Sequence, residues 1–131
     1  WFRADEANPF DTFDALHHPS AVFWNGSTTW VLLEGHAVDV SAEAAVLATC
    51  GSFAETEGPP PLPPHRWSVP PADLRNLDMD DFVALIGVGT IHATEPQPQR
   101  KIDPAALEVS NRVKALFDPT GRLNPGRERS T

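Results

Sequence analysis

An Asn-Gly pair between two apolar runs constrains the fold of this chain more than any other feature. Asn25-Gly26 separates residues 21–24 from residues 29–34, and such a pair supplies the two positive φ angles of a type I′ turn. We therefore predict a β-hairpin closed by that turn. Because the second run is almost wholly apolar, we expect its strand to lie inside a sheet and to be covered on part of both faces.

Helical periodicity occurs in three other segments. Residues 11–17 predict a short helix that Pro19 ends. Ser41 is the predicted N-cap of a second helix, and Asp103-Pro104 is the predicted start of a third. Spacings of three and four predict an inward stripe on the second helix and an amphipathic third helix. The stripe residues are Ala42, Val46, Cys50 and Phe53 in the second helix and Ile102, Ala106, Val109, Val113 and Leu116 in the third.

The remaining segments predict further strands and one stiff connector. Residues 58–64 are rich in proline, which favours an extended connector over a ligand for a proline-recognising domain. Strands are predicted at 65–69 and at 81–88, and Gly87-Val88-Gly89 permits close backbone approach before residues 90–93 continue or restart the strand. Strands interleaved with helices indicate an α+β fold, an antiparallel sheet with helices packed mainly on one face.

Charge and cysteine content exclude several classes of protein. The formal net charge is −8, which argues against nonspecific nucleic-acid binding because that binding depends on lysine and arginine. No apolar run is long enough to span a bilayer. Cys50 is the one cysteine, so the chain can form no internal disulfide and cannot by itself hold an iron–sulfur cluster. We expect a buried structural thiol and a cytoplasmic setting.

The basic residues are unevenly distributed. Residues 1–99 contain Arg3, Arg66 and Arg75 as their basic residues, whereas residues 100–131 are locally basic. Such a tail is either a solvated charged segment or a surface that meets an anion or an acidic partner.

Two side chains are candidates for a binding or catalytic site. His92 follows a glycine-containing strand, where a side chain can be aimed at a ligand, although a lone histidine is more often structural. Arg66 precedes Trp67 and could hold a carboxylate through two hydrogen bonds, or lie on the surface against the ring. We expect no metal, since the spacing of His36, His65 and His92 disfavours a shared site.

Four segments together resemble one family. The tail Phe117-Asp118-Pro119-Thr120-Gly121-Arg122-Leu123-Asn124-Pro125-Gly126-Arg127 resembles the C-terminal signature of FAD-linked oxidases of the vanillyl-alcohol-oxidase type. Upstream, Trp30-Val31-Leu32-Leu33-Glu34-Gly35-His36, Arg66-Trp67-Ser68-Val69-Pro70-Pro71 and Gly87-Val88-Gly89-Thr90-Ile91-His92 are similar to successive landmarks of the glycolate oxidase FAD-binding subunit, E type. The resemblance covers roughly residues 21–127.

The resemblance implies a particular domain and fold. Residues 1–131 would form one C-terminal cap domain of ferredoxin-like architecture, with a lead-in at 1–20 and a tail at 118–131. The cap would lie over the flavin ring and form the substrate pocket, while the domain that binds FAD would lie outside this chain. Because the chain begins at Trp1, we expect it to be a piece of a longer protein.

The resemblance also implies an activity and site residues. The family transfers hydride from a 2-hydroxy acid such as glycolate to FAD. Carried over by position, His92 would be catalytic, Asn124 and Arg127 would bind the cofactor, and Arg66 would bind the substrate carboxylate.

The resemblance further implies partners, which are an N-terminal FAD-binding domain, a second flavoprotein subunit and an iron–sulfur subunit. The location would be cytoplasmic, with peripheral membrane attachment through partner subunits as the alternative. By itself the chain would be inactive. A different class of function stays open, in which the chain is a non-catalytic α+β module that binds another subunit and retains the cap fold.

Overall fold

The computed structural model of this protein describes residues 1–98, 103–120 and 122. These belong to two compact units, Trp1–Gln97 and Pro98–Thr131, and each is described by itself. None of the helices among the described residues is long and apolar enough to cross a membrane.

The first unit contains a single antiparallel sheet with helical segments between its strands. Its strands are β1 (Phe2–Asp5), β2 (Ala21–Trp24), β3 (Thr28–Leu32), β4 (Ala54–Glu55), β5 (His65–Ser68), β6 (Phe82–Leu85) and β7 (Thr90–Ala93). Its helices are α1 (Pro9–Ala15), α2 (Ala37–Cys50) and a 3₁₀ helix at Pro71–Asn76. The second unit contains α3 (Pro104–Phe117).

The order of the strands confirms the predicted α+β class. The seven-stranded sheet has the order β4-β1-β3-β2-β6-β7-β5, and every pairing is antiparallel. The first half, β1-α1-β2-β3-α2-β4, has the connectivity of a ferredoxin-like fold. The remaining strands extend that unit from the β2 side, and β5 lies at the outer edge.

The predicted hairpin is present, but its turn is not type I′. Among the described residues, the non-glycine residues with positive φ are Glu6 and Asp81, so Asn25 lacks the angle that the prediction required. The Asn25 side-chain oxygen instead accepts hydrogen bonds from the backbone N–H groups of Ser27 and Thr28, at 3.1 and 2.9 Å. An asparagine that closes its own turn in this way replaces the backbone geometry expected of an Asn-Gly pair.

The second helix begins earlier than predicted. His36 occupies the N-cap position of α2 without a side-chain hydrogen bond. Ser41 lies inside the helix, and its hydroxyl donates to the Ala37 carbonyl at 2.7 Å. The prediction that Ser41 caps the helix is wrong, because a serine hydroxyl can bond back to the preceding turn as readily as it caps a helix.

The inward stripe predicted for α2 is wrong within the helix, although Phe53, which follows the helix, packs against the core as predicted. Leu47 is the buried residue of this helix, and Val40 and Ala44 pack with it against the core. Val46, at the centre of the predicted stripe, is exposed. Cys50 is half-buried rather than buried, with its thiol donating to the Val46 carbonyl at 3.6 Å.

The hydrophobic core lies between one face of the sheet and the helical segments of the first unit. We call this the helix-covered face. Val22 and Val31 are cross-strand partners on it, and Leu47 of α2 and Leu74 of the 3₁₀ helix belong to the same buried cluster. The other members of the cluster are Leu16, Leu33, Phe82, Ala84, Ile86 and Ile91.

The start of α1 differs by two residues from the prediction. The side chain of Asn8 accepts hydrogen bonds from the backbone N–H groups of Phe10 and Asp11, at 3.0 and 3.3 Å, and Pro9 occupies the first turn. An asparagine cap followed by proline is a strong helix start. The ring of Phe10 then packs edge-on against Trp24 of β2, with ring centroids 5.8 Å apart.

The predicted start and end of the third helix are confirmed. The carboxylate of Asp103 accepts from the Ala105 N–H at 3.0 Å and Pro104 is the first helical residue. After the helix, the Asp118 carboxylate accepts from the Arg122 N–H at 2.8 Å, which closes the predicted turn.

Candidate functional site

The face of the sheet opposite the core receives neither α1, α2 nor the 3₁₀ helix. Neighbouring residues of a strand point to opposite faces. A residue next to a core residue in its strand, and the cross-strand partners of that residue, therefore lie on this face. We call it the second face. It is formed by Phe23, Trp30, Val83, Leu85, Thr90, His92 and Arg66.

Two of the residues predicted for the site are direct neighbours on this face. Arg66 of β5 is the cross-strand partner of His92 of β7, and Val83 of β6 is the partner of His92 on its other side. Directly opposed residues of an antiparallel pair have Cβ atoms about 5 Å apart. The sheet therefore brings together a guanidinium and an imidazole that are far apart in the sequence.

The side chain of Arg66 is held in place and is available for an anion. Its Nη2 donates to the hydroxyl of Thr90 at 3.3 Å, and Thr90 is only 5% exposed. Arg66 itself is exposed. The carboxylates that form ion pairs within the described residues contact Arg3 and Arg75, so none of them occupies Arg66. Its remaining donors suit the two oxygens of a ligand carboxylate.

The imidazole of His92 is half-buried. Within the described part of the chain it has no hydrogen-bond partner. A neutral imidazole has one nitrogen that donates and one that accepts, so His92 can accept a proton from a hydroxyl group beside Arg66 or orient that group.

An apolar strip leads away from the pair toward the middle of the sheet. Leu85 is the partner of Thr90 in β7 and of Phe23 in β2, and Phe23 is in turn the partner of Trp30. Trp1 stacks on Phe23 with ring centroids 5.9 Å apart. Phe23 and Leu85 are partly exposed, so this strip can receive an apolar group.

Two contacts that sequence patterns did not indicate secure the edge strand that carries Arg66. The side-chain amide of Gln97 accepts from the N–H of Ser68 and donates to its carbonyl, both at 3.0 Å. The indole N–H of Trp67 donates to the Glu95 carbonyl at 2.7 Å. Because Gln97 pairs with the backbone as a neighbouring strand would, it stabilises β5 beside β7.

The opposite end of the same face carries a second arginine. The guanidinium of Arg3 lies 5.8 Å from the ring centroid of Trp30 and donates to Asp5 at 3.1 Å. The Thr28 hydroxyl donates to the same carboxylate at 2.7 Å. These two hydrogen bonds, that from Thr28 first, hold the pKa of the Asp5 carboxyl below its ordinary value.

The other histidines do not join the site. His65 is the partner of Ala93, so it points to the opposite face from His92. His36 precedes α2, and the rings of His17 and His18 lie 6.3 Å apart near α1. Among the described residues, no three side chains of the metal-binding types are grouped to hold an ion.

Asn124 and Arg127, predicted to bind the cofactor, lie outside the described residues. Their role stays a prediction, as do the roles of His92 and Arg66.

The second face therefore has apolar side chains at its centre and the arginine–histidine pair near the β5 edge. Residues 87–127 match the family model described as FAD linked oxidases, C-terminal domain. That segment includes β7, α3 and the tail. No curated protein and no solved structure matches the chain. The match supports a C-terminal domain of an FAD-linked oxidase, which implies FAD and an N-terminal FAD-binding partner domain.

Proposed function

We propose that this chain is the substrate-facing cap of an FAD-dependent oxidoreductase that oxidises a 2-hydroxy acid such as glycolate. The observation that carries the proposal is the pairing of Arg66 with His92 across neighbouring strands. A 2-hydroxy acid presents a carboxylate and a hydroxyl on adjacent carbons. A guanidinium and an imidazole side by side match those two groups in charge and hydrogen bonding.

In this proposal Arg66 binds and orients the carboxylate. The hydrogen bond from Nη2 to the Thr90 hydroxyl limits the orientations of the guanidinium and leaves its other N–H donors for the ligand. A bidentate pair between arginine and a carboxylate fixes direction as well as distance. Arg66 therefore determines where the hydroxyl carbon lies along β7.

His92 holds or accepts the proton of the substrate hydroxyl. Its half-buried ring has a polar neighbour in Arg66 and an apolar neighbour in Val83. A neutral imidazole has one nitrogen that can accept this proton. When bound, FAD supplies the acceptor for the hydride.

The proposal includes partners beyond this chain. The FAD-binding domain would provide the facing wall, so this chain alone would have no turnover. Asn124 and Arg127 would complete the cofactor side. The glycolate oxidase type, the second flavoprotein subunit, the iron–sulfur subunit and the cytoplasmic location belong to the proposal through resemblance alone.

Two variants with matched controls test the proposed roles in the full-length protein with its partner subunits. His92→Ala is expected to lower kcat by about a hundredfold or more, the range typical of a lost acid–base group. Arg66→Ala is expected to raise KM for the acid. His65→Ala and Arg75→Ala change the same residue types away from the second face and should leave both constants unchanged. Normal turnover by His92→Ala would contradict its catalytic role.

The alternative is a non-catalytic module that binds another subunit. The partly exposed Phe23 and Leu85 of the second face favour this reading as well, since apolar patches occur at interfaces. The two proposals differ in one measurement. If flavin in the full-length protein is not bleached by any 2-hydroxy acid while the protein still assembles with its partners, the module is the better description.

A further inference from the structure

The surroundings of the Arg66–His92 pair bear on which acid would bind there. On the outer side, β5 is the last strand of the sheet. On the inner side, Val83 and Leu85 of β6 are the nearest residues of the second face. Any group that extends from the substrate over the sheet therefore meets hydrocarbon.

The apolar surface continues well beyond β6. From β7 the second face presents Leu85 and then Phe23, both partly exposed, on two successive strands. Trp30, on the next strand, is buried. Strands are spaced about 4.8 Å apart, so the partly exposed strip reaches about 10 Å from β7. Glycolate, which has only hydrogen atoms on its hydroxyl carbon, would leave the strip without a contact.

Within residues 1–98, a second carboxylate on the substrate would find no other cation beside Arg66 on this face. Besides Arg66, residues 1–98 contain two arginines and no lysine. Arg75 lies with its guanidinium 4.4 Å from the ring centroid of Phe10 on the helix-covered face. Arg3 is on β1, five strands from β5 in the sheet, which is about 24 Å at the usual spacing.

We infer, on the basis of the proposed function, that the substrate is a 2-hydroxy monocarboxylic acid with an apolar or aromatic group on its hydroxyl carbon, and that Leu85 and Phe23 select it. Burial of that group against the strip favours it over glycolate. A dicarboxylic acid is disfavoured because residues 1–98 place no second cation beside Arg66, so its second charge would be desolvated on the apolar strip.

Direct binding tests this inference apart from turnover. Three probes carry a methyl group in place of the hydrogen on the hydroxyl carbon, so none can transfer a hydride. They are 2-hydroxyisobutyrate, atrolactate with a phenyl group, and citramalate with a second carboxylate. Calorimetry on the full-length, FAD-loaded protein should give a Kd for atrolactate at least about tenfold lower than for 2-hydroxyisobutyrate, the scale on which apolar pockets discriminate. Citramalate should bind most weakly.

A pair of variants assigns the preference to the strip. Leu85→Thr keeps a strand-forming residue and should reduce the preference for atrolactate by about tenfold, with little change for 2-hydroxyisobutyrate. Leu62→Thr is the matched control at an exposed position of the proline-rich connector and should change neither Kd.

The outcomes separate this inference from the proposal beneath it. If 2-hydroxyisobutyrate or citramalate binds the wild-type protein as tightly as atrolactate, the inference is overturned while the 2-hydroxy-acid site stands. If none of the three probes binds, the proposed function fails and the inference fails with it. The order of the three Kd values in the wild-type protein tests the inference even if a variant does not fold.

Discussion

The two faces of the sheet are built from the same strands, yet they carry different kinds of residue. The helix-covered face is closed by α2 and the 3₁₀ helix around Leu47 and Leu74, which are almost fully buried. The second face carries Arg66 and His92, one exposed and one half-buried. The main buried cluster lies on one face, and the candidate chemistry lies on the other, where Val83 and Trp30 are also buried.

This division has a physical reason. Apolar side chains gain free energy by leaving water, so the face that the helices cover must be apolar. A guanidinium that is to bind an anion must keep donors free, and Arg66 lies on the face that α1, α2 and the 3₁₀ helix do not cover. Alternation along each strand lets one short segment serve both purposes, as Ile91 faces the core and His92 the second face.

The largest effect is expected on the helix-covered face. Leu47→Ala removes a side chain that is 1% exposed and should lower the free energy of unfolding by about 3 kcal/mol, through lost burial and the cavity that remains. Chemical denaturation measures it. Leu62→Ala makes the same change at a position that is 44% exposed and should cost much less. Equal losses would refute the assignment of the core to this face.

A smaller effect is expected at the turn that aligns the site strands. Gly89 has a φ of 78°, and a β-carbon there would meet the Val69 carbonyl oxygen. The Val69 N–H also donates to the Gly89 carbonyl at 2.9 Å. Gly89→Ala should therefore cost about 2 kcal/mol, measured by thermal unfolding. Gly58→Ala, where a β-carbon would lie in open space, is the control. If both variants lower the melting temperature equally little, the close packing of Gly89 against Val69 does not matter for stability.

On the second face, a change at a proposed binding residue should hardly affect stability. Arg66 is exposed, and its one hydrogen bond within the described residues is long, at 3.3 Å. Arg66→Ala should change the free energy of unfolding by no more than about 0.5 kcal/mol. The midpoint of urea unfolding, compared with that of Arg75→Ala, measures it. A loss of several kcal/mol would mean that the second face also supports the fold.

The smallest effect is a shift in titration at Asp5. Its pKa is lowered in the folded chain, so its contribution to stability is present above the pKa of the unfolded chain and is lost as pH falls through the folded pKa. Thr28→Val removes the 2.7 Å hydrogen bond and should raise the pKa of Asp5 toward its ordinary value. NMR titration of the carboxyl carbon measures this. Thr49→Val is the control and should leave the pKa of Asp5 unchanged. If Thr28→Val also leaves it unchanged, the hydrogen bond from Thr28 is not what lowers this pKa.

Local signals predicted the parts of the fold that depend on neighbours in sequence. The helix start at Asp103-Pro104 and the strands around Gly87-Val88-Gly89 are where the pattern predicted them. Capping and left-handed glycine geometry are satisfied within a few residues, so composition over a short segment is sufficient to indicate them. The resemblance of the tail to FAD-linked oxidases is also a local signal, because the match to residues 87–127 rests on contiguous sequence.

Predictions failed where a distant contact decided between two acceptable local choices. Ser41 is a reasonable cap, yet α2 begins at Ala37, and Leu47 rather than Val46 packs on the sheet. Periodicity in a short, alanine-rich helix leaves its rotation undetermined, since several stripes fit the same spacing. Packing on the sheet determined the rotation of the helix, because Leu47, Val40 and Ala44 contact the buried cluster of the helix-covered face.

By itself, the sequence determined the α+β class, the hairpin, the absence of lysine from residues 1–99 and the resemblance to FAD-linked oxidases. Only the tertiary structure decided that Arg66 and His92 are neighbours and that His65 is not. The physical reason is strand register. A shift of one residue between β5 and β7 would move one member of the pair to the other face, and the register depends on contacts such as Gln97 with Ser68 that no local pattern contains.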